Sequence, residues 1–311
     1  MSLKRVLKDK PVIYEIVPPR ANSSRFGTEL RGVEMVMHDR RIDAINIPEL
    51  INRRGTSEKV QYSPATILPE EYALLVGEFK DPIVNIIAPR MTRASFQRRV
   101  LRAVEEYGIK GFVLVGKERH DDVLPGPNVL EALDLVREQK VEDVALGGIC
   151  IFTRKSRGGG DYGFESNLEE HRRMWVKGSR GCDFATSQIN FDASAAADCL
   201  TSYQDLCERT DVNPMTTFLS ISAVPTQSIL SLLERLDVFF PPKVKKRMLQ
   251  ASDIAKESVQ VATEVFMEIM ETLERRHVEI PIGLQVEQIG VTSEQLTLEL
   301  LENVYTEFKS A

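Results

Sequence analysis

Glu15 is an acidic residue inside an apolar run over 12–17 that ends at two prolines. The other residues of this strand are expected to be buried, and burying a carboxylate among them costs free energy unless it is paired, protonated or placed in a cavity. Strand alternation puts Glu15 on the same face as Ile13 and Val17, and the prolines prevent further ladder pairing. Glu15 is therefore expected near the C-terminal end of its strand, where an apolar setting would let its carboxyl group donate a proton at neutral pH.

Polar residues also follow the other predicted strands. In parallel α/β folds the C-terminal strand ends lie together, and active sites lie there. One polar residue at such a position often marks only where a strand leaves the core, but several of them beside a buried carboxylate favour a site. The candidates at these ends are Asn46, Arg90, Lys117, Gln188, Ser220 or Ser222, and Gln285 or Glu287.

Strand and helix patterns alternate along the chain. Runs rich in β-branched residues predict strands over 12–17, 42–47, 83–88, 111–115, 144–151, 183–188, 215–221 and 282–286. Amphipathic stretches between them predict helices over 27–40, 69–79, 92–107, 127–139, 165–178, 193–209 and 226–235. This alternation is typical of an α/β fold with a parallel sheet.

The region before the last strand carries additional helix. Segment 241–276 opens at two prolines and predicts a long helical stretch, broken near Ser252 and Asp253, whose apolar spacing suits packing against the barrel or a partner subunit. A last helix is predicted over 293–308. Eight β/α units over roughly 290 residues predict a (β/α)8 barrel with extra helices before and after the last strand. No composition shift marks a boundary, so we expect a single domain over 1–311.

Composition narrows the class of protein. The formal charge of −6 and the sequence pI near 5.5 argue against a nucleic-acid partner, which requires a basic face. No apolar stretch is long enough for a membrane span and the first residues lack a secretory apolar region, so we expect no membrane association and a cytoplasmic location. The four cysteines show no CxxC spacing, which favours free thiols over disulfides or a metal site.

Two segments that lie far apart resemble the methylenetetrahydrofolate reductases. Segment 14–20, Tyr-Glu-Ile-Val-Pro-Pro-Arg, is similar to that family's first-strand motif, a Glu followed by two apolar residues and Pro-Pro-Arg. Segment 181–192, Gly-Cys-Asp-Phe-Ala-Thr-Ser-Gln-Ile-Asn-Phe-Asp, resembles its sixth strand, Gly-Ala-Asp-Phe-x-x-Thr-Gln-x-x-Phe-Asp. The order of elements, with a long helical insertion before the last strand, extends the resemblance over nearly the whole chain.

The resemblance implies a (β/α)8 barrel that binds FAD and reduces methylenetetrahydrofolate to methyltetrahydrofolate with electrons from NAD(P)H, within one-carbon metabolism and methionine biosynthesis. Glu15 would be the general acid that protonates N10, because the methylene bridge opens to its N5 iminium form only when N10 leaves. Gln188 would anchor the pterin, since an amide offers both a donor and an acceptor. Asn46, Lys117 and Gln285 are further candidate folate contacts.

Several basic residues are candidate contacts for an anionic group of a cofactor or ligand. Lys177 stands four residues before Gly181, as the family's phosphate-contacting lysine does. Arg90 and Arg154 are further candidates for an anionic group. The basic run 154–157 precedes three glycines and could form an anion-binding loop for a phosphate or the glutamate tail of a folate, or simply a solvated loop.

The sequence departs from the family at its flavin site. Where the family carries Arg-Gly-Asp after strand four, residues 115–117 are Val-Gly-Lys, and the loop over 151–160 lacks the family's Tyr-Pro and His-Pro-Glu. FAD binding is therefore in doubt, and a flavin-independent reductase remains open beside a folate-binding protein or partner-dependent reductase subunit. An ammonium at Lys117 that reached Glu15 would hold it ionised. A third hypothesis is a barrel lyase or aldolase in which Lys117 supplies the Schiff-base amine.

Overall fold

The computed structural model describes residues 3–7, 9–20, 33–54, 61–117, 122–141, 143–154, 169–289 and 293–310. The strands within these ranges are β1 (Val12–Glu15), β2 (Ala44–Ile47), β3 (Ile51–Arg54), β4 (Gln61–Pro64), β5 (Asp81–Ile87), β6 (Gly111–Val115), β7 (Ala145–Cys150), β8 (Phe184–Ser187), β9 (Thr216–Ile221) and β10 (Ile282–Glu287). β3 and β4 pair as an antiparallel hairpin. The others close a parallel barrel in the order β1-β10-β9-β8-β7-β6-β5-β2, which confirms the predicted (β/α)8 architecture.

Helices follow the barrel strands and cover their outer faces, except for the short first helix, which packs against the core inside the barrel. Within the described ranges they are α1 (Leu3–Val6), α2 (described over 33–37), α3 (Pro69–Val76), α4 (Arg93–Glu105), α5 (Val129–Glu138), α6 (Glu170–Ser179), α7 (Ala193–Thr210), α8 (Gln227–Arg235), α9 (Pro242–Gln250), α10 (Ile254–Arg275) and α11 (Glu294–Ser310). None of the described helices is long and apolar enough to cross a bilayer. The helical insertion before β10 and the last helix are confirmed.

The break in the helical insertion has a local cause. Asp253 has an extended backbone, and its side chain accepts hydrogen bonds from the backbone N–H groups of Ala255 and Lys256. An N-cap of this kind satisfies donors that a new helix leaves free, so α10 begins afresh after α9 ends. The predicted break near Ser252 and Asp253 is therefore confirmed.

The barrel interior is filled below the strand ends by apolar side chains. Phe184 and Phe218 meet edge to face with ring centroids 5.8 Å apart, and Leu3 of α1 packs in the same cluster. Gly147 and Gly283 make room for these rings, since a Cβ at either position would lie within 2.5 Å of a ring carbon. The lower barrel is thus a packed core, which confines open space to the C-terminal ends of the strands.

Some elements were not predicted from the sequence. The short helix α1, the β3–β4 hairpin and the single turn of 3-10 helix at Ala88–Arg90 have no counterpart among the expected elements. The predicted strand over 12–17 is shorter in the structure, because β1 ends at Glu15. The start of the helix predicted over 27–40 and that of the helix predicted over 165–178 lie outside the described residues, as do residues 155–160 of the basic glycine-rich loop.

Replacing Phe184 with Ala should lower the free energy of unfolding by about 3–5 kcal/mol, because it empties a fully buried aromatic site in the barrel core. Phe79→Ala is the control, since Phe79 is 50% exposed and its loss should cost only about 1 kcal/mol. Chemical denaturation monitored by circular dichroism measures both values. Equal losses in the two variants would contradict the assignment of Phe184 to the core.

Candidate active site

A cavity of about 400 Å³ opens at the C-terminal ends of the barrel strands. This volume is in the range that suits one small organic ligand. Its walls bring together most of the residues that the sequence singled out, which are Glu15, Lys117, Arg154, Lys177, Gln188 and Gln285. Asn46 is not part of the cavity wall, but its side chain hydrogen-bonds to Glu15, which is. Arg90 does not line this cavity.

Two carboxyl groups lie side by side in the cavity wall. Glu15 and Glu287 are the last residues of β1 and β10, and strand pairing places them directly opposite each other. Asn46 on β2 donates from Nδ2 to Glu15 Oε2 at 2.6 Å. Gln285 donates from one Nε2 to both carboxyl groups, at 3.3 Å to Glu15 Oε2 and 2.9 Å to Glu287 Oε1. A single amide therefore bridges the pair.

The surroundings of this pair favour its protonated forms. Glu15 is half-buried because part of it faces the cavity, yet protein surrounds its carboxyl group, and this desolvation raises its pKa well above the usual range. The neighbouring Glu287 raises the pKa of Glu15 further, whereas the Asn46 hydrogen bond lowers it. Burial also raises the pKa of Glu287, to about 7, against the lowering effect of Ser220 and Gln285. Burial and the nearness of the two groups thus favour a pair in which one carboxyl group is protonated.

Lys117 follows β6 and lines the same cavity. Within the described residues, it makes no ion pair with Glu15 or with Glu287. Its charge is also absent from the causes that shift the pKa of Glu15. The arrangement in which Lys117 would hold Glu15 ionised is therefore not present. Glu15 is placed to act as an acid rather than as a permanent anion.

Gln188 stands one residue past β8 at the cavity rim. Its Nε2 donates to the carbonyl oxygen of Leu236 at 3.2 Å, and its Oε1 accepts from the backbone N–H of Ile189 at 3.1 Å. An amide has a second N–H and a second acceptor lone pair, so Gln188 can contact a ligand while these bonds hold its orientation.

A basic cluster forms another part of the wall, at the end of β7 and along α6. Arg154 Nε lies 2.8 Å from Glu170 Oε2, and Arg173 Nε lies 4.0 Å from the same oxygen. Lys177 is buried and donates to the carbonyl oxygen of Ile149. Among the described residues, this cluster thus contains three cationic side chains and the carboxylate of Glu170. Cationic side chains in a cavity wall suit an anionic group on a ligand.

Arg90 belongs to a buried ion network behind the cavity. Glu49 Oε1 accepts from Arg90 at 3.0 Å and from Arg99 at 2.7 Å, and Glu49 Oε2 accepts from the backbone N–H of Ile87. Arg99 also binds Glu70 through two nitrogens, at 2.6 and 2.9 Å. Glu49 lines the main cavity, so this network fixes its wall, while Arg90 faces a separate surface groove.

The sequence reasoning missed several residues that shape the site. Glu287 appeared only as an alternative to Gln285, and its pairing with Glu15 was not predicted. A usable signal existed, because a closed barrel makes its first and last strands neighbours, and a Glu lies within two residues of the C-terminal end of each predicted strand. Glu49 follows the predicted strand over 42–47 by two residues, the same kind of position as the other candidates, and was overlooked, whereas Glu170 stands in a stretch that resembles an ordinary charged surface.

Comparisons with known proteins locate the fold. No protein-family model matches this chain, and no curated protein matches it. A solved structure from Clostridium thermocellum is 21% identical with a TM-score of 0.75, covering 99% of this chain and 100% of that one. It is described as an uncharacterized protein that binds two copies of 5-methyl-5,6,7,8-tetrahydrofolic acid.

More distant structures share the barrel alone. A β-1,4-mannanase is 11% identical with a TM-score of 0.53, over 97% of this chain and 98% of that one. The spore cortex-lytic enzyme SleL of Bacillus cereus is 10% identical with a TM-score of 0.52, over 95% of this chain and 74% of that one. At these identities the likenesses establish the (β/α)8 fold and leave the chemistry to the residues of the cavity.

Replacing Arg99 with Met should lower the free energy of unfolding by about 3–5 kcal/mol, because it leaves Glu49 and Glu70 without their shared counter-charge. Arg102→Met, one turn along α4, is the matched control. Arg102 pairs with Glu106 at the surface, and its loss should not change the unfolding midpoint measurably. An unchanged midpoint for Arg99→Met would contradict the assigned role of the network.

Proposed function

We propose that this protein binds a reduced folate in the barrel mouth and interconverts methylene- and methyltetrahydrofolate with Glu15 as the general acid. The observation that carries the proposal is a carboxyl group with a raised pKa in the wall of a ligand-sized cavity. Both motifs that resemble methylenetetrahydrofolate reductases contribute to this cavity, through Glu15 and Gln188. The similar barrel from Clostridium thermocellum, which binds 5-methyltetrahydrofolic acid, supports the same ligand class.

The distribution of charge in the cavity suits the two ends of a folate. Glu15, Gln285 and Gln188 present hydrogen-bond donors and acceptors that match the mixed edge of a pterin ring. Arg154 and Lys177 belong to the cationic cluster, which suits the carboxylates of the glutamate tail. We therefore place the pterin at the carboxyl pair and the tail toward α6.

The proposed chemical step requires an acid rather than a carboxylate. Glu15 transfers its proton to N10 as the bond between N10 and the bridging carbon breaks, and the N5 iminium that results accepts a hydride to give the N5-methyl group. The hydride is proposed to come from a reduced nicotinamide. Glu15 is left as a carboxylate and takes up a proton from solvent before the next turnover.

A flavin does not suit the described part of this cavity. Where the resemblance implies an Asp near the flavin, Lys117 lines the wall, so a cation replaces the carboxylate that the reductases place beside their flavin. We therefore derive no step through FAD.

The presence of Lys117 also favours a second candidate function. Lys117 introduces a cation where the reductases carry the Asp of their Arg-Gly-Asp, and Val115 replaces the Arg. The alternative is a folate-binding protein or a partner-dependent subunit that has lost the hydride step. Binding without turnover in the presence of NADH or NADPH, with and without added FAD, distinguishes this alternative from a reductase.

Calorimetric titration should detect 5-methyltetrahydrofolate binding, and Gln188→Leu should weaken it by about tenfold through loss of a pterin hydrogen bond. Glu78→Gln, an exposed change far from the cavity, should bind like the unmodified protein. Absence of heat and of spectral change with any reduced folate would rule out the proposed function.

Glu15→Gln should bind folate with nearly unchanged affinity but lower the rate of methylenetetrahydrofolate reduction on the order of 100-fold or more, because the amide cannot supply the proton. Steady-state oxidation of NADH or NADPH measures the rate, with Glu78→Gln as the matched removal of a carboxyl group. Unchanged turnover in Glu15→Gln would remove Glu15 from the mechanism.

A further inference from the structure

We propose that Glu287 is a positioning residue for Glu15: the two carboxyl groups form an acid and carboxylate pair, and the charge of Glu287 keeps the proton on Glu15. The pairing is a property of the protein alone. Its use in proton donation rests on the proposed function.

The geometry of the strand ends enforces this pairing. β1 and β10 are hydrogen-bonded neighbours, and their register sets Glu15 opposite Glu287 with both side chains on the cavity face. The Nε2 atom of Gln285 lies within hydrogen-bond distance of an oxygen from each carboxyl group, so those oxygens are themselves close together. Two carboxylates that contact the same amide nitrogen repel each other, and one proton on the pair relieves the repulsion.

Few groups near the pair can supply a compensating charge. The neighbours on β2, β9 and β10 are the neutral side chains of Asn46, Ser220 and Gln285. Among the described side chains, no Lys, Arg or His lies within ion-pair distance of either carboxyl group. The other charged residues that line the cavity are Glu49, Lys117, Arg154, Glu170, Arg173, Lys177, Arg235 and Asp237. Of these, Glu49 and Glu170 are already paired with arginines.

The pairing predicts a definite pH dependence. Glu15 donates only when it is protonated, so turnover should fall as pH rises through the upper ionisation step of the pair. Glu287 raises this step by repelling the second negative charge. Neutralising Glu287 should therefore move the fall in activity to lower pH, with folate affinity little changed.

Carbon-13 NMR of protein labelled at glutamate Cδ measures the titration in the absence of folate. The unmodified protein should show two coupled steps for Glu15 and Glu287, separated by more than about one pH unit. In Glu287→Gln a single step should remain for Glu15, at least about one unit below the upper step of the unmodified protein. Glu78→Gln should leave both steps in place.

An upper step that stays in place in Glu287→Gln would overturn the proposal, even if the protein binds and reduces folate. Conversely, a shifted step in a protein that binds no folate would support the pairing and contradict the proposed function. Should Glu287→Gln fail to fold, Glu15→Gln provides the reciprocal test. In that variant the remaining Glu287 step should fall below the upper step of the unmodified protein, and a step that did not move would overturn the pairing.

Discussion

The structure depends on one electrostatic constraint, the placement of two acidic side chains next to each other at the mouth of an apolar barrel. Closure of β1 onto β10 brings Glu15 and Glu287 together, and the packed core below leaves their cavity as the open part of the barrel interior. Desolvation and mutual repulsion both disfavour two carboxylates, so at least one proton remains. Asn46 and Gln285 supply the amide hydrogen bonds that hold the carboxyl oxygens in place.

The cavity wall has a second charged region, apart from the acid pair. On another part of the wall, the described residues include the cations Lys177, Arg154 and Arg173 around the carboxylate of Glu170. A ligand that satisfies both regions needs a hydrogen-bonding heterocycle that tolerates a neutral acid, together with an anionic extension. Reduced folates have both parts, which is why we propose a ligand of this class.

Much of this arrangement could be predicted from the sequence, and the remainder required three-dimensional information. Periodic apolar runs identified the barrel strands, and the prolines after Glu15 correctly placed it at a strand end. The pairing with Glu287 depends on which strands become neighbours and on their register, which no local pattern encodes. Helix α1 and the β3–β4 hairpin are too short to show periodicity. Gln188 is oriented by hydrogen bonds to the carbonyl oxygen of Leu236 and from the backbone N–H of Ile189. Leu236 is distant in sequence, and only the fold brings it close.

A crystal structure of the protein with bound 5-methyltetrahydrofolate tests the central claim most directly. The account predicts the pterin ring within hydrogen-bond distance of Glu15 and Gln285 and the glutamate carboxylates near Arg154 and Lys177. A pterin bound elsewhere, such as in the surface groove beside Arg90, with no ligand contact to the acid pair, would contradict it.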